Sequence, residues 1–348
     1  MDLFYRHRTF VILLGLLFLV LIFSIYWFLF KSPSGVQLTK MITVKKGMPL
    51  RKVSLMLERE GIIRNAQVFM GIAAVLGKKA EIKAGEYEFH TRMPPLEVLN
   101  ALVKGHVKRH LVTIAEGYTL SQIAQLLDDL RISEKKAFIE KACSTPFIAS
   151  LGLPNLTPVK TEATLEGYLF PDTYHFVREM NPEEAIRMMV QKFKKVFGPD
   201  LVSRASQLKM SQREAVILAS IIEKETSLSH EKPLISAVFH NRLRKKIPLQ
   251  SDPTVIYGIK NFNGNLTKAD LQRPNPYNTY LINGLPPTPI CNPGRASILA
   301  ALYPSPVSYL YFVSKNDGSH YFSSDIGEHN RAVWKYQKDP KKNGLTKR

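Results

Sequence analysis

Two carboxylates close an apolar run in "VILASIIEKET", residues 216–226. Six of the seven residues from Val216 to Ile222 are apolar, and Glu223 and Glu225 follow at once. Ser211 and Glu214 stand just before the run in the S-x-x-E pattern of a capping box, which predicts a buried helix over 211–227. Residues two apart on a helix are about 200° apart around its axis, so the two carboxylates face different sides. Spacing alone does not choose between them. A carboxyl held against apolar walls keeps its proton more tightly, because burial disfavours the charged form. Such a group is poised as a general acid near neutral pH. The plainer alternative is an ordinary glutamate at the solvated end of a buried helix.

Other groups suited to a polar substrate sit on loops that Pro and Gly punctuate. "EGYLFPDTYHF" (166–176) carries Glu166 and Tyr168. "LQSDPTVIYG" (249–258) carries Gln250 and Asp252, and "NPYNTYLINGLPPTPICNPG" (275–294) carries Asn278 and Tyr280. Aromatic faces and amides on rigid loops suit a sugar, whereas the structural alternative for each stretch is a plain turn. HExxH, GxSxG and phosphate-binding glycine loops are all missing from the sequence, so no metal or cofactor is expected. His106 and His110 are four apart in "HVKRH", with no carboxylate close in sequence to complete a metal site.

The elements that must carry these loops form a second block, 161–337, followed by a basic tail, 338–348. Before it lies an internal repeat. "ITVKKGMPLRKVSLMLEREGII" (42–63) aligns without a gap on "VTIAEGYTLSQIAQLLDDLRIS" (112–133), 70 residues on. Each copy reads as a short strand, a glycine turn and an amphipathic helix. Between them, "KAGEYEFH" (83–90) reads as a strand and "PPLEVLNALVKG" (94–105) as a helix bounded by Pro and Gly. The predicted module spans 40–160.

At the N-terminus a short tail, 1–8, precedes 22 uncharged residues, Thr9 to Phe30. At 1.5 Å per residue that length spans a hydrocarbon core of about 30 Å, which predicts a transmembrane helix over 9–30 and a linker over 31–39. The arginines before it predict a cytoplasmic N-terminus and an extracytoplasmic remainder. Lys and Arg number 48 against 29 Asp and Glu, a net charge of +19. That balance favours polyanionic partners or anionic lipid. No nucleic-acid-binding signature accompanies it, so nucleic acid is not an expected partner. Two cysteines, Cys143 and Cys291, are too few for a disulfide framework.

Taken in order, "EGYLFPDTY", "ILASIIEKET", "NRLRKKIPLQSDPTVIYG", "YNTY", "GLPP" and "NPG" resemble the endolytic murein transglycosylase (YceG-like, MltG) family over nearly the whole chain. The resemblance implies an α+β fold: a single N-terminal transmembrane helix, a LysM-like α+β module, then a separate α+β catalytic domain. It implies an inner-membrane lytic transglycosylase that cuts the MurNAc–GlcNAc bond within nascent strands and leaves 1,6-anhydro-MurNAc ends. By the same resemblance the first Glu of E-K-E-T, Glu223, is implied to be the general acid and then base. Glu166, Tyr168, Gln250, Asp252, Asn278 and Tyr280 are implied substrate-binding residues. The implied partners are peptidoglycan strands, the membrane and peptidoglycan synthases (penicillin-binding proteins). Thr288, Cys291, Lys246 and Ile247 depart from the family pattern at turn or rim positions. Two rival readings remain: a non-catalytic wall-binding scaffold, and a hydrolase using Glu166 or Asp252 to activate water.

Overall fold

The structure is a computed structural model that describes residues 10, 12–20, 23–24, 26–27, 31, 36–45, 47–78, 81–153 and 163–338. The chain divides into two compact units, 1–110 with 175–179, and 111–174 with 180–348.

The first unit contains strand β1 (Thr39–Val44), helices α1 (Leu50–Arg59) and α2 (Ala66–Val75), strand β2 (Gly85–His90) and helix α3 (Pro95–Lys104). β1 and β2 pair antiparallel, from Thr39 opposite His90 to Val44 opposite Gly85. Alternation along the strands sends Ile42 and Val44, and Tyr87 and Phe89, into one core. Val53 and Leu57 of α1 and Leu99 and Leu102 of α3 close that core. α3 begins at Pro95 and is capped by left-handed Gly105, as its sequence predicts. His110 does find a carboxylate: its Nε2 lies 2.8 Å from Glu86, which Arg178 also reaches at 3.0 Å.

The predicted transmembrane helix is not supported. Among the described residues no helix is long and apolar enough to cross a membrane. Residues 9, 11, 21–22, 25 and 28–30 of the predicted span lie outside the described residues.

The chain then forms strand β3 (His110–Thr113), helices α4 (Leu120–Asp129), α5 (Lys135–Ala142) and α6 (Thr145–Ser150), and strand β4 (Thr173–Phe176), which pairs with β3. The repeat is visible in detail. α1 and α4 start and end 70 residues apart. The turn glycines Gly47 and Gly117 have φ of 77° and 78°, a left-handed conformation that glycine adopts at little cost. Val53 and Leu57 and their counterparts Ile123 and Leu127 are fully buried. Past the helix, Ile62 and Ile63 donate to the Leu57 carbonyl, and Ile132 and Ser133 to that of Leu127. The likeness therefore outruns the aligned segments: each copy is a strand, two or three helices and a second strand that pairs with the first. The compact units separate near 110, so most of the second copy groups with the block that follows it and not with the first copy. The predicted boundary at 160/161 falls outside the described residues, as does the tail from 339 onward.

The rest of the second unit is α7 (Pro182–Val196), α8 (Pro199–Gln207), α9 (Gln212–Glu225), α10 (Lys232–Lys245), α11 (Asp252–Tyr257), α12 (Lys268–Gln272), α13 (Arg295–Leu302), hairpin strands β5 (Tyr311–Ser314) and β6 (His320–Ser323), and α14 (Ile326–Val333). α9 is the predicted buried helix. Ser211 Oγ accepts from the Glu214 amide at 3.2 Å, and the Glu214 carboxylate accepts from the Ser211 amide at 2.7 Å. Every residue from Ala215 to Ile222 is buried, and α9 runs between α10 and α13. It stops where Thr226 turns extended.

Candidate active site

Glu223 and Glu225 leave the end of α9 into different surroundings. Glu223 Oε1 accepts from Lys232 Nζ at 3.0 Å, and both side chains are nearly buried, 8% and 3% exposed. Its Oε2 accepts from the Gly294 amide at 2.9 Å, at the start of α13, where the helix dipole favours an anion. The apolar walls predicted around Glu223 are therefore absent; a buried ammonium and a helix start stand there. Glu116, from the second repeat copy, lies against Gly294 as well. Burial, and then the charge of Glu223, push the Glu116 carboxyl above its usual range, with Lys232 opposing.

Glu225 faces a cavity of about 350 Å³, within the range of small-molecule sites. Gln250, Asp252 and Tyr280 line the same cavity, together with Arg242, His320 and His329. The Ser251 hydroxyl donates to Glu225. Burial pushes the Glu225 carboxyl up to about 7; the Ser251 hydrogen bond pulls it down, the charge of Asp252 adds to the rise, and Arg242 opposes it. Asp252 accepts from the Tyr280 hydroxyl at 2.6 Å. Arg242 donates to the carbonyls of Leu310, Pro248 and Leu249 and to Gln250 Oε1, so it fixes the loop that presents Gln250. Gln250 itself holds a left-handed φ of 52°. Behind the cavity, buried Glu231 accepts from the amide and Nδ1 of His320. Burial works against the charge on Glu231, but the His320 hydrogen bonds outweigh it and keep that carboxyl below its usual range.

Three of the predicted substrate-binding residues lie elsewhere. Glu166 is 3% exposed, and its two oxygens accept from the Leu120 amide, Asn292 Nδ2 and the Tyr257 hydroxyl. Asn292 Oδ1 accepts from the amides of Gly167 and Leu169, and its Nδ2 also reaches the Tyr118 carbonyl. Glu166 and Asn292 thus clamp the 166–169 turn, the start of α4 and the 292 loop together. Burial raises Glu166 to about 7 against all of those donors. Tyr168 is 2% exposed and packs edge-on against Phe193 at 5.0 Å. Asn278 is fully buried, its Nδ2 within reach of the carbonyls of Asp270, Leu271 and Arg273. These three organise loops and do not line the cavity.

Three of the four family departures fall at well-defined local positions. Lys246 caps α10 with a φ of 56°, a conformation a glycine adopts more cheaply. Thr288 Oγ1 bonds the Tyr277 hydroxyl at 2.7 Å. Buried Cys291 points at the Ser220 carbonyl, and Cys143, exposed, is not bonded to it.

Arg242, His320, His329 and Glu231 were not singled out in the sequence. They come from separate stretches, "NRLRKK", "GSHYF", "GEHN" and "SHEKP", and only the fold brings them together. The one available signal was that each stretch holds a charged or titratable residue beside core-forming ones.

A family model for the YceG-like family matches residues 42–335. The chain belongs to that family. It is 32% identical to an endolytic murein transglycosylase of Bacillus subtilis over 304 residues, 85% of this chain and 84% of that one. It is 30% identical to an endolytic murein transglycosylase of Streptococcus pneumoniae over 317 residues, 84% of this chain and 57% of that longer one. The crystal structure of a YceG-like protein from Listeria monocytogenes matches with a TM-score of 0.60 at 32% identity, over 85% of this chain and all of that one.

Proposed function

We propose that the chain is a peptidoglycan lytic transglycosylase, and that Glu225 is its general acid and base. Family membership supports the reaction class. The observation that carries the residue assignment is that Glu225 lies in the cavity with Gln250, Asp252 and Tyr280, with its carboxyl raised to about 7. A neutral Glu225 protonates the glycosidic oxygen between N-acetylmuramic acid and N-acetylglucosamine. The carboxylate left behind then takes the proton of the muramic C6 hydroxyl as that oxygen attacks C1. The C1–O bond to the leaving sugar breaks, a C1–O6 bond forms, and no water is consumed. Tyr280, Gln250 and the two histidines supply hydrogen-bonding groups around the sugar.

Glu223, which the motif resemblance favours, is the rival for the same role. Its carboxylate is engaged by Lys232 and Gly294, so in this reading it supports the start of α13. A hydrolytic muramidase is the second reading, because Asp252 stands in the same cavity and could activate water. Incubating un-crosslinked glycan strands with the protein and analysing the products by mass spectrometry separates the two. Anhydro ends support the transglycosylase and reducing ends the hydrolase. Cutting inside nascent strands sets the catalytic unit to work outside the cytoplasm, beside the synthases that extend them. The strand-helix-helix-strand first copy is read as a LysM-like glycan-binding unit; unchanged binding to purified sacculi after charge reversal on it would remove that role.

A further inference from the structure

A second and larger opening lies at the other end of α9. Its cavity volume is about 870 Å³, and none of the groups placed in the catalytic cavity lines it. Lys209, Arg213, His240 and Arg244 line it, and Ile217, Leu285 and Pro286 give it an apolar floor. Its one acid, Glu214, has an oxygen occupied by the amide and hydroxyl of Ser211. Lys209 and Arg244 are exposed, so their charges are available to a ligand. Arg213 donates to the Pro287 carbonyl at 2.6 Å and so braces the 284–287 wall. The lining therefore carries two more fixed positive charges than negative ones over apolar ground. That combination suits a ligand bearing carboxylates and small apolar side chains.

The two openings are related through α9. Arg213, Glu214 and Ile217 line the large one, and Glu225 lines the catalytic one. At 100° per residue these four positions fall within an arc of about 120°, on one side of the helix. Twelve residues separate Arg213 from Glu225, which is about 18 Å of rise. An extended peptide of five residues spans up to about 17 Å. Ile217, on the floor of the large opening, lies eight residues before Glu225, about 12 Å of rise, which a five-residue peptide exceeds.

We propose that this cleft is a subsite for the acidic peptide stem carried by the glycan strand. The proposal rests on the transglycosylase reading for the source of the peptide. Carboxylates of the stem meet Lys209 and Arg244, and its alanine methyls lie on Ile217, Leu285 and Pro286. The cleft then selects strands whose stems are still present, and it does so away from the bond that is cut.

His240 reports on occupancy. Its Nε2 lies 2.8 Å from the Ala301 carbonyl, an acceptor only, so that nitrogen carries the hydrogen. Burial first, and then the charges of Arg244 and Arg204, hold its imidazole below its usual range, with the Ala301 bond opposing. The ionisable groups facing the cleft beside it are Lys209, Arg213, Glu214 and Arg244.

The test compares the full chain with its Lys209→Glu/Arg244→Glu double variant on stem-bearing strands and on strands stripped of peptide. Both substitutions are at exposed residues outside the catalytic cavity. The expected result is a fall of about tenfold in kcat/KM on stem-bearing strands, the size of two charge contacts, with stripped strands cut at the wild-type rate. Equal rates of the two proteins on both substrates would overturn the proposal. A separate titration with the N-acetylated pentapeptide N-acetyl-L-Ala-γ-D-Glu-L-Lys-D-Ala-D-Ala, which has two carboxylates and one ammonium, follows the His240 imidazole by NMR. The expected result is an upward pKa shift in the wild-type protein and none in the double variant. If neither protein cuts any strand, the transglycosylase reading fails, and the titration still decides whether the cleft takes an acidic peptide: no change at His240 means it does not.

Discussion

Glu223 and Glu225, two residues apart on one helix, occupy opposite electrostatic settings. Glu223 is engaged by a buried ammonium and a helix start. Glu225 is a half-buried carboxyl beside Asp252, raised to about 7, in a cavity that could hold a sugar. The first setting suits a permanent anion. The second suits a group that gives and takes a proton near neutral pH. That difference is the basis for placing the chemistry on Glu225.

The pH dependence of turnover follows from it. A general acid acts from its protonated form, so kcat/KM is expected to fall as pH rises through about 7. Glu166 titrates in the same region but accepts hydrogen bonds only from its clamp. A Glu166→Gln variant that folds is therefore expected to keep this alkaline limb. A pH–rate profile for both proteins checks it, and loss of the limb in the Glu166 variant would move the acid role to Glu166.

Much of the scaffold was legible before folding. The capping box at Ser211 and Glu214 marked the start of α9, and the 70-residue offset marked α1 and α4 as counterparts. Both signals are local, set by a few neighbouring side chains. The loops were harder to read. An asparagine that bonds a sugar and one that bonds three backbone carbonyls, as Asn278 does, have the same sequence signature. The side of α9 that faces the cavity depends on Ser251, Arg242 and β6, which arrive from far along the chain. The N-terminal apolar run illustrates the opposite error. Composition and length satisfied the rule for a spanning helix, yet among the described residues no helix is long and apolar enough to meet it.

Stability should also depend on pH, with a sign opposite to that of most carboxylates. Glu225 and Glu166 are both raised on folding from 4.5 to about 7. Each contributes stability that is fully present below about pH 4.5 and is lost as pH rises through about 7. Thermal unfolding of the wild type and of Glu225→Gln across pH 4–8 checks this. The variant is expected to gain relative to the wild type as pH rises.

Replacing Glu223 is expected to act mainly on the fold. Glu223→Gln leaves Lys232, 3% exposed, as a buried charge without its carboxylate. Breaking a buried pair in this way costs about 3–5 kcal/mol. Adding Lys232→Met to that variant removes the stranded charge and is expected to recover much of the loss. Denaturant unfolding of the single and double variants measures both steps.

Asn292 is the most connected side chain of the clamp, with its oxygen accepting from Gly167 and Leu169 and its nitrogen donating to Tyr118 and Glu166. Asn292→Ala strands two buried amides and should destabilise the protein by about 2–6 kcal/mol, at about 1–3 kcal/mol for each unsatisfied group. Unfolding of this variant checks the value, and a loss below about 1 kcal/mol would mean that water replaces the amide.

The most direct test of the central claim is a product measurement on un-crosslinked glycan strands with three proteins: wild type, Glu225→Gln and Glu223→Gln. Gln keeps the shape of the side chain and removes the transferable proton. The account predicts internal fragments with 1,6-anhydro ends from the wild type. It predicts a loss of at least about a hundredfold in their rate of formation with Glu225→Gln, and fragments still formed by the folded fraction of Glu223→Gln. Anhydro fragments from Glu225→Gln at the wild-type rate, together with none from folded Glu223→Gln, would contradict it and return the proton transfer to Glu223.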